Sequence, residues 1–229
     1  MSSSPPSLYG LADADALGGV ERVPDAAVAM AEAGIGWIQL RLKSGTDRQR
    51  LDAVTVTARR FAALPAMSTR TLWIDDRADL VALARPDASH GPRLGLQFGL
   101  HLGQGDLPPD AARRIVGDEV VIGRSCHDLD QIREADADPS VDVVAYGPVF
   151  TTRSKTAPDP TVGLDGVRAA RAGTAKPLVA IGGIDADNAR HVLDAGADTV
   201  AVIGALCRRH DVGAASHDFL AALDGRSNP

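Results

Sequence analysis

Short aliphatic runs alternate along the chain with longer segments in which apolar residues recur at helical spacing. The eight aliphatic runs are predicted β-strands, at residues 8–12, 37–42, 71–75, 99–102, 120–123, 141–146, 178–181 and 199–203. The helical segments lie at residues 25–33, 47–64, 109–116, 128–135, 165–172, 187–195 and 205–223. This alternation is typical of a parallel sheet covered by helices.

Eight strand–helix units favour a closed (β/α)8 barrel, or TIM barrel, over the alternative of a doubly wound open sheet. We expect a single domain over residues 1–229, which is close to the usual length of one such barrel. The polar ends at 1–6 and 224–229 are predicted to be frayed. Residues 85–98 contain prolines and glycines and interrupt the pattern, so we interpret them as an inserted loop.

Composition narrows the class of protein. Hydrophobic residues make up 45% of the chain and aromatic residues only 3%, which disfavours an aromatic surface that stacks on nucleotide bases. The net charge of -6 opposes attraction to nucleic acids and anionic membranes. No apolar stretch reaches the roughly 18 residues of a membrane span. We predict a cytoplasmic α/β enzyme that binds neither nucleic acid nor membrane, and we leave homo-oligomer formation open.

The two cysteines, Cys126 and Cys207, are spaced like neither a disulfide framework nor a zinc site, which indicates a reducing compartment. Cys126 precedes His127, but no third group is evident that would orient such a pair for nucleophilic catalysis. We interpret Cys126 as a buried or incidental thiol and leave the role of His127 open.

Polar side chains cluster where the predicted strands end, and the active site of such a barrel lies at those ends. Gln39, Arg41 and Lys43 alternate at the end of the second strand, so they share a face that would point into the barrel mouth. Polar groups there are costly without a partner, whereas arginine and lysine together could grip a diphosphate. A solvated strand end is the alternative.

Carboxylates follow the next two strands. Asp75 and Asp76 end the third strand, and Asp106 follows the fourth. Because Mg²⁺ is commonly held by one or two carboxylates with water and phosphate oxygens, Asp76 and Asp106 could hold a magnesium ion bridged to a diphosphate. Asp76 could instead cap a helix, and Asp106 could belong to a turn before Pro108. His101, deeper in the fourth strand, is interpreted as a hydrogen-bonded core residue.

The later strand ends carry hydroxyl groups, a lysine and glycines. Thr152, Ser154 and Lys155 lie on a long loop after the sixth strand, where they could bind phosphate or form a polar surface. A glycine pair ending in Gly183 follows the seventh strand, and Gly204 follows the eighth. Glycines let backbone amides approach an anion, and these two loops form the recurrent phosphate site of such barrels. Phosphate binding is therefore favoured over a tight turn.

Five motifs occur in one fixed order: Gln39-x-Arg41-x-Lys43, Asp75-Asp76-Arg77, His101-x-Gly103-Gln104-x-Asp106, Gly147-Pro148-x-Phe150-x-Thr152-x-Ser154-Lys155 and Ala180-Ile181-Gly182-Gly183-Ile184. Together they resemble the thiamine-phosphate synthases over residues 8–206, apart from 85–98. The resemblance implies a transferase that couples a hydroxymethylpyrimidine diphosphate to a thiazole phosphate, with Mg²⁺ as cofactor. In the implied mechanism diphosphate leaves first, and the thiazole nitrogen captures the resulting pyrimidine carbocation.

The same resemblance implies roles for individual residues. The pyrimidine diphosphate would be held by Gln39, Arg41, Lys43, Ser125 and Lys155, and Mg²⁺ by Asp76 and Asp106. The thiazole phosphate would contact Thr152, Ser154, Gly183, Ile203 and Gly204. Arg41, Lys43 and Lys155 are the catalytic candidates, because they would neutralise the charge that grows on the departing diphosphate.

Three positions depart from the family pattern. Asp75 stands where the family usually has asparagine, Ser154 where it has threonine and Gly204 where it has serine. Ser154 keeps a hydroxyl and Gly204 keeps only the amide, whereas Asp75 adds a negative charge beside the metal and loses an amide donor. Asp75 could alter pyrimidine recognition, change the metal geometry or mark a relative with another substrate.

Two other functions are left open. Thiazole tautomerases share this barrel and would use a histidine near His127 for proton transfer, without a diphosphate substrate. A non-catalytic sensor of a phosphorylated ligand would keep the pocket but show no turnover. The basic and metal-binding residues would have little purpose in a tautomerase, which favours the synthase.

Overall fold

Eight parallel strands close into a barrel in the computed structural model, which describes residues 4–65, 70–85, 96–152 and 160–225. The strands are β1 (Leu8–Asp13), β2 (Trp37–Arg41), β3 (Arg70–Asp75), β4 (Leu96–Leu102), β5 (Val121–Cys126), β6 (Val143–Tyr146), β7 (Leu178–Ile181) and β8 (Thr199–Val202). Each strand pairs with its sequence neighbour, and β8 pairs with β1. The predicted (β/α)8 barrel is confirmed.

Helices surround the barrel. The described α-helices are α1 (Ala14–Leu17), α2 (Val23–Glu32), α3 (Asp47–Ala63), α4 (Ala78–Ala84), α5 (Pro109–Val116), α6 (Leu129–Ala137), α7 (Gly163–Gly173), α8 (Ala189–Asp194), α9 (Gly204–Cys207) and α10 (Val212–Leu223), and a 3-10 helix at Val20–Arg22 precedes α2. Side-chain caps explain where several begin: Thr46 and Gln49 form a capping box at α3, and Asp128 caps α6. Within the described ranges, none of these helices has the length and apolar character needed to cross a membrane.

The main differences from the sequence prediction are of three kinds. The short helices α1 and α4 have no predicted counterpart, because so few residues show little periodicity. The helix predicted over 205–223 is two helices, since the Asp211 side chain accepts a hydrogen bond from the Ala214 amide and starts α10. The inserted loop predicted over 85–98 is wrong at its end, because β4 begins at Leu96, paired with Arg70 of β3.

Parts of two predictions fall outside the described residues. These parts are residues 86–95 of the predicted insertion and residues 1–3 and 226–229 of the predicted frayed ends. Within the described part of the first end, the Pro6 carbonyl accepts a hydrogen bond from the Thr199 hydroxyl at 2.7 Å, so the chain is tied to β8 before β1 begins.

Strand side chains alternate between the helical layer and the barrel interior. On β2, Ile38 and Leu40 pack outward against the helices, whereas Trp37 faces the interior with Tyr9 and Trp73. The ring centroid of Trp37 lies 5.7 Å from that of Tyr9 and 5.1 Å from that of Trp73. The inward-facing residues that follow Trp37 on β2 are Gln39 and Arg41. The polar end of the barrel interior therefore begins directly beyond these rings.

The Trp73 indole fits because the neighbouring strand carries a glycine. Trp73 is fully buried and pairs in register with Gly99 of β4. A Cβ atom at Gly99 would lie 2.4 Å from two carbon atoms of the indole, which is far inside van der Waals contact. Gly99 is therefore needed for close packing inside the barrel.

Candidate active site

A cavity of about 620 Å³ lies at the carboxyl ends of the strands. All eight strands contribute residues to its wall, and the loops that follow them add more. The wall combines apolar strand residues such as Leu11, Val179 and Ala201 with a set of charged side chains. This is the position of the active site in barrels of this kind.

β2 delivers Gln39 and Arg41 to the cavity, each with a fixed partner. The Gln39 Nε2 atom donates to the Tyr9 hydroxyl at 2.9 Å. Arg41 forms an ion pair with Asp13, the buried residue that ends β1, lies beside Arg41 in register and caps α1. Arg41 is therefore held in the wall of the cavity by a carboxylate that is itself fixed by a helix.

Lys43 lies between two carboxylates. Its Nζ atom is 2.9 Å from Asp75 Oδ2 and also contacts Asp76, while Arg41 Nε lies 3.8 Å from the same Asp75 oxygen. Burial lowers the pKa of Lys43, but the two aspartates outweigh burial and leave that pKa above its ordinary value. Burial raises the pKa of Asp75, against the opposing effect of the Lys43 charge. Lys43 is thus a charged group at neutral pH, and it could contact an anion that a metal ion holds at this site.

Asp76 and Asp106 line the same cavity, where their carboxyl groups interact. Asp76 has a left-handed backbone with φ of 62°, and its N–H donates to the His101 carbonyl at 2.8 Å. The Asp106 Oδ2 atom accepts from the Gly103 N–H at 2.6 Å. Burial raises the pKa of Asp106, and the charge of Asp76 raises it further. A cation between these carboxylates would relieve their repulsion.

The residues present fit a magnesium ion. Asp76 does not cap a helix, since Arg77 is the residue before α4, whereas Asp106 does close a turn through Gly103 and still lines the cavity. Carboxylate oxygens are the ligands that Mg²⁺ prefers. In the part of the chain that the structure describes, no three His, Cys, Asp or Glu side chains converge on one point, so the ion would also need substrate oxygens or water.

β5 braces the loop that carries Asp106. Arg124 donates to the Gly103 carbonyl at 2.7 Å, and the Ser125 hydroxyl lies 2.8 Å from His101 Nε2. Burial lowers the pKa of His101 to about 4, so its ring is neutral at neutral pH. His101 is hydrogen-bonded as predicted, but it lines the cavity, so its interpretation as a core residue was incomplete.

The glycines after β7 are required by the neighbouring loop. Gly182 and Gly183 have φ of 105° and 65°, values that favour glycine. A Cβ atom at Gly183 would lie 2.6 Å from the Thr151 carbonyl oxygen, and one at Gly182 would lie 2.5 Å from Pro148 Cβ. Close packing against the loop after β6 therefore explains the pair, and Gly183 still presents its backbone to the cavity.

Ile203, Gly204 and Arg208 form the wall of the cavity after β8. A Cβ atom at Gly204 would lie 3.8 Å from both Cδ and Nε of Arg208, so the arginine side chain runs alongside this glycine. Sequence reasoning missed Arg208 because it follows the strand end by several residues. Its spacing of four from Gly204, which places both on one helical face, was the available signal.

The cysteines are buried and form no disulfide. Burial raises the pKa of Cys126 to about 12 and that of Cys207 to about 11, so neither is a thiolate at neutral pH. The interpretation of Cys126 as a buried thiol is confirmed. His127 lines the cavity with its Nδ1 atom 3.0 Å from the Gly147 carbonyl oxygen.

The structure brings most of the predicted site residues together. The described ones all line the cavity: Gln39, Arg41, Lys43, Asp75, Asp76, Asp106, Ser125, Thr152, Gly183, Ile203 and Gly204. Ser154 and Lys155 lie outside the described residues. The sequence prediction did not include Asp13 or Arg124. Asp13 could have been found by the rule that found Asp75, because it directly follows a predicted strand.

Comparisons with known proteins agree with this geometry. Residues 8–206 match a family described as thiamine monophosphate synthase. A thiamine-phosphate synthase of Koribacter versatilis is 43% identical over 88% of this chain and 89% of its own length. One of Mycolicibacterium vanbaalenii is 42% identical, with 90% and 88% covered. The solved thiamine phosphate pyrophosphorylase of Pyrococcus furiosus superposes with a TM-score of 0.78 at 26% identity, covering 97% of each chain.

Proposed function

The chain belongs to the thiamine monophosphate synthase family and is a transferase with thiamine-phosphate synthase activity, and we propose how its own residues carry that activity. The substrates would be a hydroxymethylpyrimidine diphosphate and a thiazole phosphate. The bond between the pyrimidine methylene carbon and the diphosphate oxygen breaks, and its electron pair leaves with diphosphate. The lone pair of the thiazole nitrogen then forms the new carbon–nitrogen bond. The thiazole nitrogen is itself the nucleophile and no proton is transferred, so neither a nucleophilic side chain nor a general base is needed.

The β2–β3 side of the cavity would take the diphosphate. Arg41 and Lys43 are already charged and oriented there by Asp13, Asp75 and Asp76. Their role would be to neutralise the negative charge that develops on the leaving group. Lys155 is proposed to assist from the loop after β6, and Gln39 and Ser125 to contact the pyrimidine diphosphate.

Asp76 and Asp106 would hold Mg²⁺. When bound, the ion supplies positive charge that stabilises a departing diphosphate. The other protein contributions are positional: Arg124 fixes the loop of Asp106, and the His101 carbonyl fixes the backbone of Asp76. This fixed geometry suits a reaction that depends on orientation and charge more than on covalent catalysis.

The thiazole phosphate would lie on the opposite side, along the loops after β6, β7 and β8. Thr152, Ser154, Gly183, Ile203 and Gly204 are its proposed contacts. The distance between the methylene carbon and the thiazole nitrogen would then be set by two phosphate groups anchored at opposite walls of one cavity.

The observation that carries the proposal is the charge cluster: Lys43 contacts Asp75 and Asp76, and Asp76 lies beside Asp106 in the same cavity. A thiazole tautomerase has no diphosphate for such a cluster to bind. His127 does line the cavity, but its ring faces the Gly147 carbonyl, so no observation gives it a proton-transfer role.

The direct test is to incubate the protein with the two substrates and Mg²⁺ and to quantify thiamine phosphate and diphosphate. We expect the two products in equal amounts, and no turnover when the metal is chelated. A protein that binds thiazole phosphate but forms neither product would be a sensor. A protein that isomerises the thiazole without releasing diphosphate would be a tautomerase.

We propose a cytoplasmic enzyme, and homo-oligomer formation stays a prediction.

A further inference from the structure

We propose that Arg208 is a further binding residue of this cavity and that it holds the phosphate group of the thiazole substrate. The identity of the ligand rests on the proposed function. The position of Arg208, in contrast, follows from the wall of the cavity and the packing beside Gly204.

Charge is distributed unevenly in the cavity. Of the lysines and arginines within the described residues, three line it: Arg41, Lys43 and Arg208. The first two lie on the β2–β3 side, where Asp13, Asp75, Asp76 and Asp106 surround them with more negative charge than they carry. An anion without a bound metal is therefore disfavoured on that side. Among the described residues, Arg208 is the cation that lines the β8 side.

The β8 side brings Arg208 close to backbone that an anion can reach. The Cβ position of Gly204 lies 3.8 Å from Nε and 3.9 Å from Cζ of Arg208, so the guanidinium runs past a residue that has no side chain to cover it. Gly183 and Ile203 line the same side. A phosphate resting on these loops would meet backbone amides and a planar guanidinium, which binds two phosphate oxygens at once.

A phosphate monoester needs such a charge. It carries roughly −1.5 to −2 at neutral pH. Backbone amides supply only partial positive charge, and a half-buried anion without a full compensating charge is costly. Asp185, a carboxylate among the described residues that line this side, accepts hydrogen bonds from the amides of Asp187 and Asn188 at 3.1 Å, so it caps the turn before α8. Arg208 therefore has the charge and the position that the phosphate requires.

The test compares a phosphorylated ligand with its dephosphorylated form. Calorimetry would measure the dissociation constants of thiazole phosphate, thiazole alcohol and inorganic phosphate for the unmodified protein, Arg208→Ala and Arg208→Lys. We expect Arg208→Ala to weaken thiazole phosphate by about tenfold or more, the loss typical of one charge-assisted contact, and to leave thiazole alcohol unchanged. Arg208→Lys should recover part of the loss, because it keeps the charge without the planar fork.

Arg209→Ala is the matched control. Arg209 is the next residue and is also exposed; it borders a second surface cavity, which Arg208 also borders, but it does not line the cavity at the strand ends. It should leave all three dissociation constants unchanged. In steady state, Arg208→Ala should raise KM for thiazole phosphate and not for the pyrimidine diphosphate.

Equal weakening of thiazole phosphate and thiazole alcohol by Arg208→Ala would overturn the proposal, and so would unchanged binding of thiazole phosphate. Absence of turnover in the unmodified protein would instead refute the proposed function. The calorimetric comparison with inorganic phosphate would still decide whether Arg208 binds a phosphate group. If the unmodified protein bound neither phosphate nor thiazole phosphate, both proposals would fail.

Discussion

Asp75 interacts with both cations at the end of β2 and would compete there with the proposed diphosphate. Its Oδ2 atom lies 2.9 Å from Lys43 Nζ and 3.8 Å from Arg41 Nε, and its side chain is buried. An asparagine, the residue that the family resemblance leads us to expect here, would keep an oxygen acceptor for Lys43 but remove the negative charge. The structure therefore gives Asp75 an electrostatic effect on the two residues proposed to grip the diphosphate.

Asp75→Asn should keep or increase turnover and lower KM for the pyrimidine diphosphate, because Lys43 and Arg41 lose a competing anion. Steady-state kinetics at several Mg²⁺ concentrations would measure this, with unmodified protein alongside. The two side chains are nearly isosteric, so packing should not confuse the result. A clear loss of turnover together with altered Mg²⁺ dependence would mean that the carboxylate serves another substrate or the metal itself.

Asp76→Asn and Asp106→Asn should each reduce Mg²⁺-dependent turnover by at least about a hundredfold if both carboxylates hold the ion. Asparagine is the informative replacement. It tolerates the left-handed backbone of Asp76, and at Asp106 it keeps an acceptor for the Gly103 amide. The same change at Asp110, an exposed residue paired with Arg114 on α5, is the control and should leave turnover unaltered. Full activity in both variants would show that these two carboxylates do not hold a catalytic metal ion.

At the scale of elements, the sequence was sufficient to predict which side chains line the cavity where a strand ended in polar residues. The alternation of β2 predicted that Gln39 and Arg41 point inward, and both line the cavity. The sequence was insufficient where a loop determines the position of a side chain. The left-handed turn at Asp76 and the brace from Arg124 to the Gly103 carbonyl arise from contacts between β3, β4 and β5 that no local pattern encodes.

The packing of β3 against β4 yields a stability prediction. Gly99→Ala should lower the free energy of unfolding by about 1–3 kcal/mol, because the new methyl group would collide with the Trp73 indole in a closely packed interior. Urea unfolding followed by circular dichroism would measure it. Gly36→Ala is the control: its Cβ atom would lie 3.7 Å from Pro6, an ordinary contact, and the change should stay within about 0.5 kcal/mol. Equal unfolding midpoints for the two variants would contradict the packing argument.

At the scale of the molecule, closure of the barrel gathers residues from β1 to α9 around one cavity. This is why strand ends far apart in sequence could be assigned to one site from sequence alone: topology places every carboxyl end at the same mouth. Arg208 could not be found by this rule because it caps the carboxyl end of α9, beyond the last strand. Its position depends on how α9 packs against β1 and α10, which the order of strands does not specify.

Ligand binding should stabilise the whole molecule only when metal and diphosphate are both present. Two described carboxylates give Mg²⁺ too few protein ligands for tight binding alone, and diphosphate alone meets the excess negative charge around Lys43. Diphosphate supplies the oxygen ligands that Mg²⁺ lacks, and Mg²⁺ supplies the positive charge that diphosphate needs. We therefore expect Mg²⁺ or diphosphate alone to shift the melting temperature little, and the two together at about a hundred times their apparent Kd to raise it by roughly 5–10 °C.

Differential scanning calorimetry with Mg²⁺, diphosphate, both, and both with excess chelator would measure this coupling. Asp76→Asn should lose the joint shift while keeping the melting temperature of the ligand-free protein, because Lys43 retains its contact with Asp75. A full shift with Mg²⁺ alone would indicate a metal cage made by the protein itself. An equal shift with diphosphate in the presence of chelator would show that Arg41 and Lys43 suffice for the anion and that the two aspartates do not act through a metal.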